Sequence, residues 1–171
     1  MEVEEQTSVG EVLCGLRNMS YTRAAQRLTI SDRRVTKLAF YIRRQGSATG
    51  TVTFTIRKVS DDSLINSKEW GDAGDLPTGL AWQEAEFDAP VSVNEEVRIS
   101  VEFSSGSSGN DVQVAGAVSD VKGGEYFQWY TAAPVWATPA AWDFGYKYTY
   151  GEEAPAGGGG GPASLVAAGI I

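Results

Sequence analysis

Histidine is absent from the 171 residues and Cys14 is the only cysteine. No imidazole can serve as a general base or metal ligand, a zinc site lacks its usual ligands, and no disulfide can form within the chain. Long apolar runs are missing too, and nothing approaches the roughly 20 residues that span a bilayer as a helix. Cations are the scarcer charge, with 14 Lys and Arg against 22 Asp and Glu and a formal net charge of −8. A field of that sign repels phosphate backbones and anionic membrane surfaces, so neither nucleic acid nor a membrane is an expected partner. The opening stretch MEVEEQTSVGEVLCG has neither the basic start nor the apolar core of a signal peptide. The expectation is a protein made and kept in a reducing cytoplasm, or released from it by a route other than ordinary secretion.

What the chain does have is alternation. In VTKLAFYIRR, Leu38, Phe40 and Ile42 fall on one face, opposite Lys37, Tyr41 and Arg43. In TVTFTIRKV, Val52, Phe54 and Ile56 alternate with threonines, and in VRISVEF, Val97, Ile99, Val101 and Phe103 alternate with Arg98, Ser100 and Glu102. A period of two with β-branched residues marks strands with one buried and one wet face. Weaker strands read at AAQRLTI, SLINSKEW, AWQEAEF, DVQVAGAV, EYFQWY and DFGYKYTY, separated by turn-rich pieces such as RQGSATG, SDDS, GDAGDLPTG, SSGSSGND and KGGE. Only GEVLCGLRNMSYTRA is open to a helical turn, and Gly10 and Gly15 stand against it. The expected class is all-β, an antiparallel sandwich.

The order of the chain predicts three parts: an N-terminal arm over residues 1–23, a β-sandwich domain over 24–151, and a C-terminal arm over 152–171. Arg17, Arg23, Arg27, Arg33, Arg34, Lys37, Arg43 and Arg44 make the first quarter basic while the middle is acidic. Such asymmetry suits packing against copies of the same chain or a charge-complementary neighbour, or equally two solvated strand edges. The last part joins Pro155 and five glycines, 157–161, to the uncharged stretch PASLVAAGII. A glycine tether with an apolar end reads as an arm that reaches a groove or open sheet edge on a neighbour, with Leu165, Val166, Ile170 and Ile171 as its contacts. The plainer alternative is a tail without fixed structure.

Little in the sequence carries catalytic chemistry. The paired carboxylates Asp61 with Asp62, Asp72 with Asp75, and Glu95 with Glu96 sit in predicted turns, where aspartate serves backbone hydrogen bonding. No catalytic residue is assigned, and the chain reads as a non-enzyme. Cys14, among Val12, Leu13 and Leu16, reads as a buried inert thiol. No metal ligand set or cofactor is expected; Ca²⁺ in an Asp-rich loop such as SDDS, GDAGD or GND is the one competing option to ordinary turn chemistry. The aromatic residues are more informative. Phe127 and Trp129 share a strand face that reads as core, with Tyr126 and Tyr130 on the other. Trp82 falls on the polar face with Glu84 and Glu86, while Trp136 and Trp142 lie in the Pro/Ala run AAPVWATPAAW. Trp82, Trp129, Tyr130 and Trp136 are the candidate contacts for a partner protein or a glycan, with core or loop packing as the competing role.

The strand order and phrases, AQRLTI, then VTKLAFYIRRQGSATGTVTFTIRK, FDAPVSVNEEVRISVEF, GGEYFQWY and WDFGYKYTYG, resemble jelly-roll β-sandwich modules over roughly residues 24–151. These modules are similar to carbohydrate-binding modules and recur in prokaryotic surface proteins and in structural proteins of tailed phages. The resemblance implies a jelly-roll path. Together with the missing signal, the arms, the separated charges and the lack of catalytic residues, it points to a non-enzymatic virion component, such as a decoration, fibre or tail-accessory protein of a tailed phage, whose partners are other virion proteins and copies of itself; arm exchange, typical of symmetric assemblies, makes a homo-oligomer the expectation, a trimer being one example. The alternatives it leaves open are a carbohydrate-binding module that uses the exposed aromatics on a cell-surface glycan, and a subunit of an extracellular filament joined by strand donation.

Overall fold

Two strands much longer than the rest organise the molecule, spanning Tyr21–Arg44 and Ala81–Glu102. The computed structural model describes residues 1–10, 12–131, 133–138 and 142–152. Within them the strands are, in chain order, β1 (Glu2–Gln6), β2 (Val12–Leu16), β3 (Tyr21–Arg44), β4 (Thr51–Lys58), β5 (Leu64–Asp72), β6 (Ala81–Glu102), β7 (Val112–Ala117), β8 (Tyr126–Thr131), β9 (Trp136–Ala137), β10 (Asp143–Phe144) and β11 (Tyr146–Glu152). One short 3-10 turn, Ala73–Asp75, is the sole helical element among the described residues. The all-β class expected from the alternation is what the chain adopts.

β3 and β6 pair antiparallel from Arg23 opposite Glu102 to Ile42 opposite Ala81, with register shifts between Ile30 and Arg33 and between Val35 and Lys37. At the first shift Asp32 takes a left-handed backbone, φ 50°, which a short polar side chain tolerates. Such bulges bend a strand pair sharply. Each long strand therefore has two legs. The first leg of β3 pairs with β8, while the second leg of β6 carries β4 and then β5. The second leg of β3 pairs with β11, which carries β1; its last residues, 42–44, pair with β7, which carries β2 and touches β10.

The inner faces of the legs share one core, in a sandwich-like arrangement. Phe40 on the second leg of β3 meets Phe54 of β4 edge to face, with centroids 4.8 Å apart and planes at 84°. Leu38, Phe40, Ile42, Val52, Phe54, Ile56, Val97, Ile99, Val101 and Phe103 are all buried, on the sides the alternation predicts. Each such side chain removed from water stabilises the fold by about 1.5–3 kcal/mol.

The stretch read as an N-terminal arm supplies two strands of this sheet. β1 lies antiparallel to β11, Glu2 opposite Tyr150 and Gln6 opposite Tyr146. β2 lies antiparallel to β7, Val12 opposite Gly116 and Leu16 opposite Val112. EVEEQ has almost no apolar alternation because polar contacts hold it: Glu2 accepts from Tyr150 at 2.7 Å, Glu5 pairs with Lys147 at 2.9 Å, and Glu4 pairs with Arg33 and Lys122. In VLCGL, where a helical turn had been open, Cys14 and Leu16 point into the core. The C-terminal arm, with Leu165, Val166, Ile170 and Ile171, lies outside the described residues.

Candidate recognition surface

The register of four strands builds a polar face opposite the core. Tyr130, Arg23, Glu102 and Thr53 form one cross-strand row; Gln128, Ala25, Ser100 and Thr55 form the next; Tyr126, Arg27, Arg98 and Arg57 form a third. Residues opposite one another in a ladder point to the same side, so each row is a line of neighbours. Arg23 pairs with Asp62 at 2.8 Å and Glu102 at 3.6 Å, and Arg57 pairs with Glu102 at 2.7 Å. Arg27 grips Glu96 through two bonds of 2.7 and 2.9 Å, which holds the Glu96 carboxyl below its ordinary pKa. Arg98 donates to Gln128 at 2.7 Å and is buried, so desolvation lowers its pKa. Thr55 Oγ1 and Ser100 Oγ lie 2.6 Å apart in the middle of the face.

Asp62 ties this face to the aromatics. It sits in the turn after β4 with φ 61°, and its carboxylate accepts from Arg23 at 2.8 Å and from the Trp136 indole Nε1 at 2.9 Å. The Arg23 guanidinium lies 4.3 Å from the Tyr130 ring centre, and that of Arg98 lies 4.8 Å from Trp136. The Tyr130 and Trp136 rings meet edge to face at 5.1 Å. Arg23 also lines a cleft of about 330 Å³ with Thr22, Thr51, Thr53, Glu102, Phe103 and Ser104. Hydroxyls, one guanidinium and one carboxylate surround it, a donor and acceptor set suited to an uncharged polyhydroxylated ligand.

The four candidate aromatics fall in three places. Tyr130 and Trp136 come together on the polar face. Trp82 stands on the outer face of the other leg, opposite Tyr41 in register, with that ring at 5.3 Å and Lys147 Nζ 4.7 Å from its centre. Trp129 turns inward. It packs on Phe127 at 5.6 Å, Tyr21 at 5.1 Å and Trp142 at 6.0 Å, and with Tyr21 and Trp142 it lines an apolar trough of about 250 Å³ along β2.

A second polar cluster lies at the β10–β11 join. Buried Gln26 donates to Asp143 Oδ1 at 2.7 Å and its carbonyl accepts from Phe144 N at 2.7 Å. Asp143 Oδ2 caps the backbone of Val121 and Lys122 at 2.6 and 2.7 Å, fixing the loop before β8. Glu125 accepts from Tyr146 Oη at 2.7 Å, and burial raises the pKa of both groups. Glu4 is held low by Lys122. Neither this cluster nor the Arg23, Asp62 and Glu102 triangle shows in the strand pattern of the sequence. The cluster's one signal is Gln26, a polar residue at an inward position of AAQRLTI.

The Asp-rich loops use their carboxylates internally. Asp61 accepts from Ser63, Asp72 accepts from Gly50 N at 2.9 Å and Gly74 N at 2.7 Å, and Asp111 pairs with Arg17 at 3.2 Å. Among the described residues no group of three or more His, Cys, Asp or Glu side chains is placed to hold a metal ion. Cys14 is buried, and desolvation pushes its thiol up to about 12. No protein-family model and no curated protein matches the chain.

Proposed function

We propose that the chain is a non-enzymatic structural component of a virus particle, a jelly-roll module joined to copies of itself and to neighbouring particle proteins. The supporting observation is where the chain enters and leaves the sheet. Glu2 lies opposite Tyr150, and Glu152 lies opposite Arg33 at the bend of β3. The start of β1 and the end of β11 thus lie at one end of the sandwich. The Tyr21 end of β3, with the Arg23 cleft and the Trp129 trough, lies a strand leg of nine residue steps away, roughly 30 Å at the strand rise. A module whose chain leaves at one pole and whose apolar trough lies at the other suits a subunit joined pole to pole in an assembly. The test is the mass in solution, by light scattering, of the full chain beside a chain ending at Glu152. Assembly of the full chain and a monomeric truncated chain support the reading; two monomers of equal state count against it.

A second reading, glycan binding, is favoured by the hydroxyl-lined cleft whose Arg23 lies against Tyr130, the ring that meets Trp136. Soluble oligosaccharide is then expected to change tryptophan fluorescence saturably, and Trp136→Ala to abolish the response with the fold intact. A response unchanged in Trp136→Ala sinks it.

A further inference from the structure

We infer that the apolar trough along β2 is the dock for residues 162–171 of a second copy of this chain. The inference rests on the assembly reading above and names its contact.

The trough is lined by Val12, Leu13, Cys14, Tyr21, Trp129 and Trp142, together with Gly15 and Arg17, whose guanidinium is paired with Asp111 at 3.2 Å. Its floor is two tryptophans and a tyrosine packed on the core, and Leu13 on its rim is 41% exposed. Its wall is a strand with one side satisfied. β2 pairs with β7 along its whole length, while on its other side the described residues supply one bridge, Leu16 to Tyr21. An apolar floor beside a strand edge that is largely open among the described residues suits an extended apolar peptide, with backbone bonds to the edge and alternate side chains into the trough.

PASLVAAGII matches that chemistry. It carries no charged side chain, it has the β-branched residues that extended pairing favours, and Leu165, Val166, Ile170 and Ile171 supply the aliphatic contacts. Geometry chooses the copy. Twelve residues, 153–164, separate Glu152 from Leu165, a span of at most about 45 Å fully stretched. The trough lies at the far end of the sandwich, roughly 30 Å from the bend by the length of the β3 leg, and the path must also round the molecule. Reaching its own trough would hold the glycine tether drawn out to about two thirds of that limit or more, which costs chain entropy. The trough of a neighbour stacked pole to pole needs no such extension. The contact is then heterologous, tail of one copy into trough of the next, and closes into a ring or continues as a fibre.

The test uses two full-length variants checked for near-ultraviolet circular dichroism like that of the unaltered chain. Leu13→Glu puts a charge on the exposed rim without touching the core, and Val166→Asp with Ile170→Asp alters the tail. The unaltered chain is expected to sediment as an assembly and each variant as a monomer. An equimolar mixture of the two variants is expected to form a pair, since one supplies the intact trough and the other the intact tail. If Leu13→Glu assembles like the unaltered chain while the tail variant does not, the tail docks elsewhere and the inference falls with the assembly reading intact. If both variants are monomeric and the mixture forms no pair, exchange between copies is overturned. An unaltered chain that is itself monomeric removes both the inference and the reading beneath it.

Discussion

Asp62 has more partners than its exposed turn would suggest. Its carboxylate faces Arg23, Arg98 and the Trp136 indole, so its charge sits over a face where three arginines, Arg27, Arg98 and Arg57, share one row. Asp62→Asn keeps a residue that accepts the left-handed backbone and an acceptor for Trp136, but removes the charge. We expect a loss of about 1–2 kcal/mol, the usual cost of weakening a charge-assisted bond, read as a lower urea midpoint at unchanged slope. The carboxylates also divide by sign. Glu4 and Glu96 titrate below the ordinary value of 4.5, Glu4 through its Lys122 bond and Glu96 through Arg27. Their stabilisation is full above that value and is lost as pH falls through their lowered pKa values. Glu125 is raised by burial, so the folded state holds its proton longer and stability declines as pH rises from 4.5 through the raised value. Glu125→Gln should flatten that decline in urea midpoints measured across the window; an unchanged slope would place its origin elsewhere. Cys14 at about 12 is expected to resist a thiol reagent at pH 8 in the folded protein and to react at once in denaturant.

At the level of the element, glycine positions hold the connections. Gly46 follows β3 with φ 61°, and a Cβ there would lie 2.2 Å from the Gly109 carbonyl oxygen. Gly46→Ala combines strain with a backbone clash, and we expect it to cost on the order of 2 kcal/mol by urea denaturation. The strands around it were legible in proportion to how one-sided their burial is. VTKLAFYIRR, TVTFTIRK and VRISVEF showed themselves because their apolar residues point one way only. β1 did not, since a strand held by glutamates pairing with Lys147, Arg33 and Lys122 shows no hydrophobic period. The continuity of β3 was hidden as well. AAQRLTI and VTKLAFYIRR read as two separate strands, yet SDRR between them is where one strand bulges and carries on. The candidate aromatics were half legible: alternation put Trp129 inward and Trp82 outward, but only register brings Tyr130 and Trp136 over Arg23 and Arg98. The three glutamates of β1 have a second effect, because like charges along an outer strand oppose edge-to-edge pairing with a copy of itself.

At the scale of the molecule, the two long strands give the sandwich distinct ends. Leu28, Val97, Phe40 and Phe54 join both legs in one core, so a cavity there should lower the whole transition together. Phe54→Ala is expected to cost about 3–5 kcal/mol, with fluorescence and circular dichroism reporting one coincident unfolding. Separate transitions would mean that the legs fold as independent units. The placement of β1 beside β11 also has a mechanical side. A load pulling between Glu2 and Glu152 acts on neighbouring antiparallel strands from the same end, so the ladder between them is unzipped one bond at a time instead of being sheared as a set. Tension borne through the C-terminal end alone acts on β11, which is paired on both sides, with β1 and with β3, and has no such line of weakness. A subunit tethered by that end alone would hold under drag, while one strained between both ends would give way first at β1.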